Sequence, residues 1–168
     1  MQRRQNTSGL GFTLVETLIV VAIIGLLMAI AIPVLLNSLN RAKQAQTLSD
    51  VREIASAWEA RASEFRAYTA AGATFAWPAA PLLGTDVQGL LQPTYIRKVP
   101  QLDGWRRPYD FATDTPAGAQ VYAIRSFGRD GQPDVAKTYT TGPSSKFDCD
   151  IVYSNGTFIV YPQGAQKN

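Results

Sequence analysis

Gly11-Phe12-Thr13-Leu14-Val15-Glu16, together with the apolar run behind it at residues 17–36, decides how this chain is organised. No charged residue lies between Glu16 and Arg41. A run of about 20 apolar residues is what a helix needs to cross the hydrocarbon core of a bilayer. The run is apolar on every face, whereas a helix buried on a soluble core has one apolar stripe. A short polar leader carrying Arg3 and Arg4 comes before it. Glu16 is out of keeping with this setting, because an ionisable group inside a bilayer costs at least about 2.5–3.5 kcal/mol and usually has a partner. Ala29-Ile30-Ala31 has the form of a signal-peptidase site. Signal sequences, however, carry only about 7–15 apolar residues, and here the apolar run continues past that site through Leu36. An uncleaved anchor with a stray acid near its end is the other plain reading.

The hexapeptide resembles the processing site of the type IV pilin and type II secretion pseudopilin superfamily. Gly25 and Pro33 continue the resemblance, falling where that family has a helix glycine and proline. The resemblance implies that a membrane prepilin peptidase cuts between Gly11 and Phe12 and methylates the new amino-terminal phenylalanine. It also implies that the freed amine pairs with Glu16 of a neighbouring subunit in a helical filament. A buried charge is tolerated when it has an opposite partner, so Glu16 is read as an assembly residue with no catalytic task.

Composition sets further bounds. A chain of 168 residues holds one modest domain besides the membrane segment. Loss of a leader containing Arg3 and Arg4 would bring its 16 basic and 13 acidic residues close to balance, which gives no electrostatic case for nucleic-acid binding. Histidine is absent, excluding His-based acid/base catalysis and the commonest zinc sites. The single cysteine, Cys149, allows no intrachain disulfide and is read as a small, inert side chain. The chain is not expected to be an enzyme. Basic residues stand on both sides of the span, so charge hardly sets its orientation. The resemblance implies a cytoplasmic leader and an exported carboxy-terminal domain.

Pro33 removes one helical hydrogen bond, giving either a static kink or a weak point at which the helix stretches. Beyond Arg41 the pattern becomes one-sided. Leu48, Val51, Ala55, Trp58, Ala62 and Phe65 recur at spacings of three and four, so this half of the helix is expected to pack on a sheet. Residues 72–81 are rich in Ala, Gly and Pro and read as loop, and residues 89–96 as a short helical turn. Strands are expected at 109–111, 121–127, 151–153 and 157–161, the last two joined by a hairpin at Asn155-Gly156. Trp77, Trp105 and the pair Arg106-Arg107 read as packing and solvated surface.

Two later stretches resemble the major pseudopilin of type II secretion in particular. Leu102-Asp103-Gly104-Trp105-Arg106-Arg107-Pro108-Tyr109 is similar to its D-P-W-G-x-P-Y segment, with Gly104 for proline and Arg106 for glycine. Ser126-Phe127-Gly128-Arg129-Asp130-Gly131-Gln132-Pro133 is similar to its S-L-G-A-D-G-Q-P loop. The resemblance implies a calcium site (Ca2+) with Asp130, Asp148 and Asp150 as ligands and Asp134 as a weaker candidate. Calcium takes about 6–8 oxygens, and Asp/Gly-rich loops supply them. An insert at 136–146, with Lys137 and Lys146, separates these acids, and a plain turn at Asp130-Gly131 is the competing reading.

The expected architecture is α+β, a pilin fold. A long amino-terminal helix, half transmembrane and half amphipathic, would pack on a small antiparallel sheet of three or four strands. The segments are a leader at 1–11, an assembly helix at 12–40, its amphipathic continuation at 41–68, and a loop and sheet region at 69–168. The expected function is a structural subunit of a type II secretion pseudopilus, a single-pass inner-membrane protein with a periplasmic domain. Its partners would be other pseudopilins, the prepilin peptidase, an inner-membrane assembly platform and exported proteins. A type IV pilin for adhesion, twitching motility or DNA uptake has the same fold. A membrane-anchored periplasmic binding domain that never polymerises is the alternative from another class.

Overall fold

A computed structural model describes residues 11–65, 74–77, 80–113, 121–134 and 138–167. The chain divides into two compact units at Ser38. Helix α1, Leu14–Phe65, contributes its first part to one and its second part to the other. In the first unit every large apolar side chain from Leu14 to Leu36 is exposed, round the whole helix, including Pro33's neighbours Ile32 and Val34. Such a surface is stable only in lipid or against other apolar helices. The helix continues through Pro33. The expected end of the helix near Tyr68 lies outside the described residues.

In the second unit α1 has the expected one-sided character. Val51, Ile54, Ala55, Ala57 and Trp58 are buried, with Thr47 and Gln44 about one and two turns earlier. Leu48 and Ala62, expected on this face, are only half-buried, and Ile54 and Thr47 take the central places. Against this face lie Phe111, Tyr122 and Ile124 from the sheet, with Val87, Leu91, Ile96 and Val99 closing one side. The Trp58 and Tyr122 rings stack at 4.8 Å, and the Tyr122 hydroxyl donates to Glu59 at 2.8 Å. The tyrosine thereby buries its ring and still satisfies its polar end.

The sheet is larger than expected and mixed. Strands β1 (Thr74–Ala76) and β5 (Thr138–Thr140) form a separate antiparallel ribbon. The main sheet has six strands, β2 (Ala80–Leu82), β3 (Asp110–Thr113), β4 (Tyr122–Ser126), β6 (Gly142–Lys146), β7 (Ile151–Ser154) and β8 (Thr157–Lys167), in the order β2-β3-β4-β7-β8-β6. Helix α2, Gly84–Leu91, begins five residues before the helical turn expected at 89–96 and overlaps its start, with residues 92–95 forming a turn. Strands β3, β4, β7 and β8 are the four expected, and the β7–β8 hairpin turns at Asn155-Gly156, both with positive φ. The wholly antiparallel expectation fails at β6, which pairs with β8 in parallel. That pairing lengthens β8 past Pro162 to Lys167, where the sequence pattern stops at Tyr161. The described part of the insert, residues 138–146, therefore supplies β5 and β6. Both edge strands carry a proline, Pro81 in β2 and Pro143 in β6.

All five residues of β4 are buried. Tyr122 and Ile124 face α1, while Ala123 packs with Tyr139 of β5, Val152 and Ile159 on the opposite face. The insert covers that second face.

Candidate functional site

The first site is the start of α1. Glu16 Oε2 accepts hydrogen bonds from the Thr13 backbone N–H and from Thr13 Oγ1, both at 2.9 Å. Thr13 Oγ1 in turn accepts from the Glu16 N–H at 3.2 Å. This is a capping box, in which a Thr at the helix cap and a Glu three residues on satisfy each other's orphan donors. The T-x-x-E spacing in the sequence is the pattern for it, although the sequence reading gave Glu16 only the assembly role. Glu16 therefore has two separable tasks available to it: holding the helix end within its own chain, and presenting a carboxylate to a neighbour. Gly11 and Phe12 precede the helix outside regular secondary structure, and both are exposed.

The second site is formed by the two later motifs, which meet in space. Asp103 is buried, and its Oδ1 accepts from the backbone N–H groups of Trp105 and Arg107, both at 2.9 Å. Its Oδ2 accepts from Ser126 Oγ at 2.7 Å, and Arg107 Nη2 donates to the Arg129 carbonyl at 2.9 Å. The carboxylate of one motif thus ties the first residue of the other. The sequence reading gave Asp103 no role, although an acid opening a turn is the pattern for it. The Gly104 N–H donates to Thr47 Oγ1 at 2.9 Å, which a proline there could not do, and a Cβ on Gly104 would lie 2.1 Å from the Lys43 carbonyl oxygen. This explains one departure from the family segment. The other carries strain, since Arg106 sits at φ +64°, where glycine is at ease and other residues are not. Arg106→Gly is expected to stabilise the domain by about 1 kcal/mol, read as a raised midpoint in urea unfolding with an unchanged slope.

The four aspartates suggested for calcium do not form one set. Asp148 is held by Arg129 in a two-pronged ion pair, Nε to Oδ1 at 2.7 Å and Nη2 to Oδ2 at 2.9 Å. The guanidinium holds the Asp148 carboxyl below its ordinary pKa. Asp130 is exposed, and its Oδ1 accepts from the Gln132 N–H at 3.0 Å, as in a turn. Asp134 and Asp150 do meet. The Asp150 N–H donates to Asp134 Oδ2 at 2.7 Å, and the Asp134 N–H to Asp150 Oδ2 at 3.0 Å. Asp150 is fully buried, which pushes its carboxyl up to about 6, and Tyr139 donates a hydroxyl hydrogen bond to its Oδ2. Arg125 Nη1 donates to that tyrosine oxygen at 2.9 Å, and its Nη2 pairs with Asp110. The rings of Trp77 and Phe127 lie 4.1 and 4.7 Å from the same guanidinium. Asp150 Oδ1 is buried without a hydrogen-bond partner. Among the described residues no three acidic, Cys or His side chains are grouped to hold a metal. Cys149 is half-buried, and burial pushes its thiol up, consistent with an unreactive side chain.

Comparison with known proteins agrees with this architecture. Residues 34–141 match the family described as Type II secretion system (T2SS), protein G. The chain is 29% identical over 136 residues to the Type II secretion system core protein G of Pseudomonas aeruginosa, covering 80% of this chain and 93% of that protein. It is 29% identical over 138 residues to that of Dickeya chrysanthemi, covering 80% and 84%. For the same protein of Klebsiella michiganensis the identity is 30% over 132 residues, covering 78% and 89%. No solved structure matches at a significant level.

Proposed function

This chain belongs to the type II secretion system protein G family, a family of major pseudopilins, and on that premise we propose how its amino-terminal end is used. The family is structural and not a family of enzymes, and it serves protein transport. Membership decides against the type IV pilin and the anchored binding domain. The chain is inserted in the inner membrane through residues 12–40, with its second unit on the periplasmic side. A prepilin peptidase cuts between Gly11 and Phe12 and methylates the new amine. The processed helices then associate with those of further pseudopilins, and an inner-membrane assembly platform extends the filament so that exported proteins are driven outward.

The observation that carries this reading is the exposed, all-round apolar helix headed by one satisfied carboxylate. A plain anchor needs the apolar run and can use Glu16 as a helix cap, but it has no use for the charge. A filament needs both, since each Glu16 gives the buried amine of a neighbour its opposite charge. Intact mass of the chain from its native membrane tests the proposal, with and without the processing peptidase. A mass starting at Phe12 plus one methyl group is expected, and a mass starting at Met1 in both preparations would remove the proposal's basis. Gly11→Leu is expected to leave the precursor uncut. Efficient processing of that variant would move the cleavage site elsewhere.

A further inference from the structure

We propose that in this chain two arginines take the place that a divalent cation has in the acidic loop of the resembling pseudopilin segment, so that the loop closes without calcium. The inference goes beyond the filament role and does not depend on it.

The first substitution is within the motif itself. Arg129 stands where the S-L-G-A-D-G-Q-P pattern has alanine, and its guanidinium engages both oxygens of Asp148 across the loop, at 2.7 and 2.9 Å. A guanidinium fork matches a carboxylate in plane and with two parallel bonds, which gives the pair direction as well as charge. The backbone closes at the same place, with the Arg129 N–H donating to the Phe147 carbonyl at 2.9 Å. The Phe127, Arg129 and Phe147 carbonyls all accept from protein donors, namely Gly131, Arg107 and Arg129.

The second substitution comes from the insert. Tyr139 of β5 places its hydroxyl between Arg125 and Asp150, accepting from the guanidinium and donating to the carboxylate. Positive charge thereby reaches the fully buried Asp150 through one hydroxyl group, and the Asp134 backbone N–H donates to the same oxygen, Oδ2. One oxygen, Asp150 Oδ1, is left without a partner. Calcium needs about 6–8 oxygens, and here the remaining candidates are on Arg129 or face solvent. Two departures from the family pattern in this region, Arg129 and the insert that carries Tyr139, supply these contacts together with Arg125.

The test uses the full chain in detergent micelles, melted in excess EGTA and in millimolar calcium, with amide hydrogen exchange followed in both. The expected result is the same melting temperature within about 1 °C and the same protection at residues 127–134 and 147–150. A calcium-dependent rise of several degrees, as a site held far above its dissociation constant would give, overturns the proposal. Arg129→Ala is expected to lower the melting temperature by about 2–4 °C in both buffers, the scale for one half-exposed bidentate pair in a chain of this size. It should also speed exchange at residues 147–150. If Arg129→Ala changes neither stability nor exchange, the guanidinium is not the cross-link and the proposal falls.

Discussion

Glu16→Gln is expected to be cut and methylated normally and to fail in assembly, with filament yield reduced at least about a hundredfold. Glutamine at the third helical position still serves a capping box, because its side-chain oxygen can accept from the Thr13 N–H and Oγ1 as the carboxylate does. What it lacks is charge. Leaving a neighbour's ammonium buried without its opposite costs about 3–5 kcal/mol per interface, and each 1.4 kcal/mol is a tenfold change in association. Glu16→Val removes both cap and charge and should fail equally. Thr13→Val removes the cap partner alone and should assemble. The measurement is the fraction of mature subunit recovered in sheared or chemically cross-linked filaments, with processing checked by mass. A Gln variant that assembles beside a Val variant that does not would assign Glu16 to the helix cap.

The second large effect belongs to Asp103. Asp103→Ala leaves the Trp105 and Arg107 N–H groups and the Ser126 hydroxyl without the oxygens they now reach, around a side chain that is almost fully buried. Unsatisfied buried donors cost about 1–3 kcal/mol each. Some will find water, so a loss of about 3 kcal/mol or more is expected in urea or thermal unfolding. Asp103→Asn should recover most of it. The amide oxygen can serve the two N–H groups, and the NH2 can donate to Ser126, whose hydroxyl accepts as readily as it donates. Equal damage from Asn and Ala would mean that the charge itself, and not the geometry of the turn, holds the two motifs together.

The helix was legible because both of its signals are local. An uninterrupted apolar run and a three-four spacing at Val51, Ala55 and Trp58 need no knowledge of the rest of the chain. The β7–β8 hairpin was legible for the same reason, since Asn155 and Gly156 name their own turn. Strands β1, β2, β5 and β6 were not. Gly-Pro-Ser-Ser-Lys in β6 has no apolar alternation, and it is a strand only because β8 offers its open side. Pairing of that kind depends on a distant partner, and context outweighs propensity in strands. The acidic loop shows the same limit for function. Asp130 and Asp134 lie on one side of the insert and Asp148 and Asp150 on the other, and the ion pair that takes Asp148 comes from Arg129, beside Asp130 in sequence and 19 residues from its partner. Charge proximity was visible, but which charge meets which is decided by the fold.

The prolines at the two margins of the main sheet have a bearing on how such a chain keeps its associations orderly. A margin strand offers unpaired backbone groups to any passing strand, and a subunit crowded at high density in a membrane would be exposed to that hazard continually. Pro81 and Pro143 each withdraw one N–H from those margins, and Lys146 adds a charge that would be costly to bury between sheets. Growth by sheet addition is thus discouraged on both flanks, while the apolar helix stays fully available. A subunit that associates through its helix is better served by one permitted mode of contact than by several competing ones, and the sheet's blunt margins contribute that selectivity.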